Sequence, residues 1–136
     1  MEINFLEILI VLGRVIFGGY FFIAGIKHFR HLSVMAEYAK SKCVPMPKLA
    51  VMLSGAMIIL GGAGVFTGMF VRYSLGLIIV FLLVTAFKMH DYWNVDDPIH
   101  QVSKKINFDK NIALVGAALM MLAIPEPWVP VLAAFF

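Results

Sequence analysis

Apolar positions along this chain fall into four long runs divided by shorter polar stretches. The first extends from Asn4 to Ile26 and is interrupted only by Glu7 and Arg14. At 1.5 Å per helical residue it reaches about 34 Å, enough to cross a hydrocarbon core of about 30 Å. The second run (49–69) carries no charge, and the third (71–89) carries none before Lys88. The fourth (108–124) is shorter, with Asn107 placed as its N-cap and Pro125 and Pro127 as its stop. The pattern predicts an all-α membrane protein, a four-transmembrane-helix bundle forming a single domain over 1–136.

The polar stretches are unequal. Gly68 to Arg72 is a tight turn, whereas Lys27–Lys48 and Lys88–Lys110 are long loops. In the first long loop Phe29, Leu32, Met35 and Ala39 recur at helical spacing with Arg30, His31 and Lys40 between them. That spacing predicts a short amphipathic helix lying on the membrane surface after the first span. Pro45 and Pro47 then stop it. The apolar tail from Trp128 to Phe136 is too short to span and reads as an interfacial segment, or else as a kinked extension of the fourth helix. A faint internal echo links AGIK (24–27) to TAFK (85–88).

Composition strengthens this picture. The chain is 62% hydrophobic and 14% charged, against about 25% charged in an ordinary soluble domain. Its 11 glycines lie in or beside apolar runs, where they let helix backbones approach one another in lipid. Gly64 and Gly68 form a GxxxG of this kind. The lone Cys43 excludes an intramolecular disulfide and a CxxC motif. The first run is too long for a cleavable signal peptide and lacks basic residues before it.

Charge sets an orientation. Lys27, Arg30, Lys40, Lys42, Lys48, Lys88, Lys104, Lys105 and Lys110 all sit in or beside the two long loops, which four spans place on one side. The positive-inside rule puts those loops in the cytoplasm and both termini outside. Tyr92 and Trp93 then anchor the inner surface, Tyr73 and Trp128 the outer.

Candidate chemistry is sparse. Arg14 lies inside the first run, where a charge needs a partner, water or a ligand. Glu7 is seven residues earlier on nearly the same helix face, so a direct or water-bridged pair fits. Arg14 reads either as a site for a polar headgroup, such as a quinone carbonyl, or as a packing or snorkelling charge. His28, His31, His90 and His100 all map to the inner side. His28 with His90 could in principle ligate a haem, and His28, His31 and Asp91 a metal. Interfacial histidines commonly serve neither, so neither is assigned. Cys43 beside Lys42 is a bystander or a reactive thiol. No phosphate loop, HExxH or Ser-His-Asp pattern occurs, and nothing points to nucleic acid.

In GRVIFGGYFFIAGIKHF (13–29), VPMPKLAVMLSGAMIILGGAGVFTG (44–68), HDYW (90–93) and FDKNIALVGAALMML (108–122) the sequence resembles the DoxX family of small four-helix membrane proteins. The resemblance covers nearly the whole chain. It implies a bacterial or archaeal inner-membrane bundle. The family's namesakes look like subunits of a thiosulfate:quinone oxidoreductase. Arg14, Lys27, His90, Lys110 and Asn111 match positions that recur in the family. Many members also carry a glutamate in the second helix before the glycine pair, and here that place, near Met57 or Ile58, is apolar.

The expected function is a membrane subunit of a quinone-linked redox assembly, with Arg14, Lys27, His90 and Asn111 as the polar site. The expected surroundings are the bilayer and a soluble or membrane redox partner at the cytoplasmic face. A homo-oligomer is left open, as are a non-catalytic scaffold and a small-molecule carrier. The sequence itself fixes no cofactor and no catalytic residue: a quinone is compatible, a haem is disfavoured.

Overall fold

The computed structural model describes residues 4–131. Five α-helices follow one another: α1 (Phe5–Arg30), α2 (Leu32–Ser41), α3 (Pro47–Thr67), α4 (Val71–Met89) and α5 (Pro98–Leu122), with a short 3-10 turn at Tyr92–Asn94. Local chemistry sets the ends. Asn4 caps α1 by accepting from the Glu7 amide at 2.9 Å, and the Glu7 carboxylate accepts from the Asn4 amide at 3.0 Å. This reciprocal box satisfies two otherwise orphaned donors. Met46 turns left-handed (φ 47°) before Pro47 starts α3. Gly68, at φ 82°, ends it by donating its amide to the Gly64 carbonyl at 2.9 Å. Asp97 caps α5, with Pro98 at its first position.

The fourth helix therefore starts ten residues earlier than the apolar pattern indicates. Asn107 is not its N-cap; that residue lies mid-helix and bonds the Ser103 carbonyl at 3.1 Å. The polar turns 98–107 continue the helix beyond its apolar half.

α1 packs on α3, α3 on α4 and α4 on α5, while α2 lies against α3. α1 and α5 make almost no contact, so among the described residues the four long helices form a bundle with a seam open between these two. Glycines bring α1 and α3 together. A Cβ on Gly18 would lie 2.6 Å from the Gly62 carbonyl oxygen, and one on Gly25 would lie 2.7 Å from that of Gly55. Backbone meets backbone there, as small residues allow in lipid. Of the GxxxG pair, Gly64 packs against Ser74 of α4, whereas Gly68 faces the Arg14 guanidinium.

Phe21, Ile58, Val65, Leu75, Ile78, Leu82, Val115 and Ala118 fill the centre. The outward faces stay apolar, with Phe5, Ile16, Leu60, Tyr73, Val80 and Met120 all more than half exposed. Contiguous apolar surface on this scale belongs in lipid. Among the described residues α1, α3 and α4 are long and apolar enough to cross a membrane. α5 carries Asp109 and Lys110 at the start of its apolar half.

The described part of the tail departs from the interfacial reading. Trp128 is buried and joins the core, Val131 is also buried, and the chain beyond Leu122 is not helical up to that point. Trp128 therefore packs inside the bundle rather than standing at an outer surface as an anchor. Residues 132–136 lie outside the described residues.

Candidate functional site

Polar side chains gather at the two ends of the bundle. At one end Arg14, 2% exposed, reaches from α1 across the end of α3. One terminal nitrogen donates to the Val129 carbonyl at 2.6 Å, and the other is 3.5 Å from the Phe66 carbonyl. Phe66 lies in the last turn of α3, whose carbonyls have no intrahelical partner and carry the negative end of the helix dipole. The Trp128 ring lies 5.5 Å from the guanidinium carbon, within range of a cation–π attraction. Gly68 leaves the room: a Cβ there would lie 3.1 Å from Arg14.

The expected contact with Glu7 is not made. Glu7 is committed to the cap of α1, and Arg14 turns to carbonyls 52 and 115 positions away. Arg14 forms no ion pair among the described residues. Its Nε–H is buried and has no hydrogen-bond partner among the described residues.

Beside Arg14 the open seam widens into a cleft of about 600 Å³. Its walls include Phe17, Tyr20 and Phe21 from α1 and Leu114 from α5, with Trp128 at the Arg14 end and Lys110 towards the other. The cleft surface is almost wholly apolar, with the Arg14 guanidinium buried at its wall rather than exposed to the space.

The opposite end is a closed polar network. Lys42, the residue that follows α2, donates to Asp91 at 2.6 Å, and Asn94 donates to the other Asp91 oxygen at 3.1 Å. Tyr38 of α2 donates to the Met89 carbonyl at 2.9 Å. Lys104 of α5 donates to the same carbonyl at 3.1 Å and to the Tyr38 hydroxyl. Three helices thus meet on the last carbonyl of α4. The hydrogen bond to Asp91 raises Lys42 above the usual lysine value. Burial, then the neighbouring Lys42, bring Lys104 down to about 8, with Asp91 offsetting part of the effect. Burial raises the Tyr38 phenol. Tyr92 and Trp93 stack edge-on against Phe108, which also meets Phe87.

A second cavity, of about 490 Å³, lies at this end under α2, lined by His28, Tyr38, Phe81, Lys88 and His90 among others. The four expected site residues therefore divide. Arg14 lines the seam cleft and His90 the second cavity. Lys27 is exposed at the end of α1, and Asn111 is buried on α5 beside Lys110. Of the metal candidates, Asp91 is bound to Lys42, His28 turns Nδ1 to the Ala24 carbonyl at 2.8 Å, and His31 is exposed. No three His, Cys, Asp or Glu side chains assemble into a metal-sized group among the described residues. Cys43 is exposed. Sequence reasoning missed Lys42, Tyr38 and Lys104, which are joined by no short-range pattern, and missed Trp128 and Val129 as the partners of Arg14.

The DoxX family model matches residues 9–91. The inner membrane protein YphA of Escherichia coli (strain K12) is 31% identical over 121 residues, covering 88% of this chain and 84% of that relative. No solved structure matches the chain.

Proposed function

The chain belongs to the DoxX family, and from that premise we propose that it is a quinone-binding membrane subunit of a redox assembly. The observation that carries the reading is Arg14: a buried cation whose Nε–H has no hydrogen-bond partner among the described residues, at the wall of an apolar cleft. A guanidinium only donates, and a quinone head only accepts through its two carbonyls. The aromatic and aliphatic walls suit the ring and the isoprenoid tail. Arg14 would polarise a quinone carbonyl and stabilise negative charge arriving on it, the general effect of donors aimed at a developing oxyanion.

The same proposal makes α5 a fourth span. It runs the full height of its neighbours: Lys104 meets the end of α4 at Met89, and beyond its far end Glu126 meets Arg72 at the start of α4, 3.4 Å apart. Asp109 and Lys110 then sit near one membrane surface. α2, with Lys40 and Lys42, would lie at the cytoplasmic interface, and both termini outside, as the excess of lysine in the two long loops favours. That the Escherichia coli relative is named an inner membrane protein supports the same membrane for this chain.

The test is a lipid-soluble extract of the protein purified in mild detergent, quantified by mass spectrometry. About one quinone per chain is expected in the wild type. Arg14→Gln should weaken binding about tenfold or more, the worth of one charge-assisted hydrogen bond at about 1.5–3 kcal/mol. Undiminished quinone in Arg14→Gln, or none in the wild type, would sink the proposal.

A further inference from the structure

The second cavity, of about 490 Å³, takes no part in the reading above. Its size suits a small ligand, and Met35, Val44, Val51 and Phe81 make much of its wall apolar. Most of its polar groups are already engaged. The Tyr38 hydroxyl donates to the Met89 carbonyl, and the Ser54 hydroxyl donates to that of Val51 at 2.9 Å.

His28 differs. Its Nδ1 lies 2.8 Å from the Ala24 carbonyl oxygen, which can only accept. A neutral ring therefore carries its proton on Nδ1 and presents the lone pair of Nε2. That nitrogen has no hydrogen-bond partner among the described residues. Phe81 packs edge-on to the ring, 5.8 Å between centroids, and holds its plane. His90 and Lys88 enter the lining from the end of α4.

We propose that this cavity binds an amphiphile whose head brings a hydroxyl donor, a phenol or quinol, through an O–H···Nε2 hydrogen bond to His28. The Nε2 acceptor sets this cavity apart from the Arg14 cleft, while Lys88 brings a donor here as well. The Arg14 cleft has a buried cation at its wall and suits a head that only accepts. The His28 cavity offers an acceptor and suits the reduced head, which has hydroxyl protons to give. Naming a quinol within the phenol class rests on the quinone reading above; the acceptor chemistry of His28 does not.

The experiment uses the full chain in lipid nanodiscs with histidine labelled by nitrogen-15. The probes are 4-nonylphenol and its methyl ether, 4-nonylanisole, which keeps the shape and loses the proton. The phenol should bind about tenfold or more tightly than the ether, as expected when a site built for a hydroxyl meets an analogue lacking it. The phenol, and not the ether, should also shift the His28 Nε2 resonance. His28→Phe should erase the preference. Val84→Trp, which fills the cavity from a 60% exposed position of α4 that leaves His28 intact, should abolish phenol binding. Equal affinity for the two probes, a preference that survives His28→Phe, or full phenol binding in Val84→Trp each overturns the proposal. Arg14→Gln separates the two readings: it should leave the phenol preference intact whether or not the quinone reading holds.

Discussion

Arg14 at one end of the bundle and Lys42 at the other are both cations drawn largely out of water, yet they are kept there by different means. Lys42 has an anion, Asp91, at 2.6 Å, and Asn94 holds that carboxylate in turn. Arg14 has two carbonyls, the end of a helix and an aromatic ring, but no anion among the described residues. Desolvating a charge costs several kcal/mol, and dipoles offset that less completely than a matched carboxylate. The network around Lys42 is thus a closed structural joint. Arg14 is left with one Nε–H that has no partner among the described residues.

The contrast can be broken most sharply at the joint. Asp91→Ala leaves Lys42 unpaired with its side chain 18% exposed. A cost of about 2 kcal/mol is expected, between the values for surface and fully buried pairs. Thermal unfolding in detergent reads it, and the double variant with Lys42→Ala should recover part of the loss. An unchanged midpoint in Asp91→Ala would mean that the joint is not structural. The next effect belongs to the other end. Gly68→Ala puts a side chain at φ 82° and 3.1 Å from Arg14. It should cost about 1–2 kcal/mol, and it should weaken quinone binding by displacing the guanidinium. Stability lost with binding untouched would separate Gly68 from the cleft.

The smallest effect is a pH dependence. Lys104 titrates near 8 in the folded chain, against an ordinary value of 10.5. Between about pH 8 and about pH 10 the unfolded chain holds more protons on this residue, so its contribution makes stability rise with pH there. Below the folded value both states are charged, and the burial penalty on Lys104 is fully present. Lys104→Met should flatten this limb when midpoints at about pH 7.5 and about pH 9.5 are compared with wild type. An identical pH profile in the variant would place Lys104 in water.

Much of the helical layout could be read from the chain because lipid-facing helices announce themselves by length and lack of charge. Arg14 was visible as an anomaly for the same reason. Its partners were not. Seven-residue spacing put Glu7 on the right face, but the cap at Asn4 competes for Glu7, and only tertiary structure brings Val129 to Arg14. The start of α5 was legible after all: Asp97-Pro98 is a helix-start signal, overlooked because the apolar period begins ten residues later. The glycine contacts between α1 and α3 join residues about 30 to 44 positions apart, so no local motif such as Gly64-Gly68 could reveal them. The Lys42–Asp91 pair spans 49 positions and is hidden for the same reason.

The unsealed seam between α1 and α5 has a consequence for how strongly anything must bind there. With a wall missing on the lipid side the bilayer itself would be the reservoir, and a ligand of the proposed kind would arrive by sideways diffusion within a leaflet. The local supply is then set by partitioning rather than by aqueous solubility. A lipid-soluble molecule present at millimolar levels in the membrane half-fills a site whose intrinsic dissociation constant is about 1 mM, or only about −4 kcal/mol. A single arginine in a greasy slot can meet that requirement, and so weak a grip also allows rapid exchange with the surrounding pool.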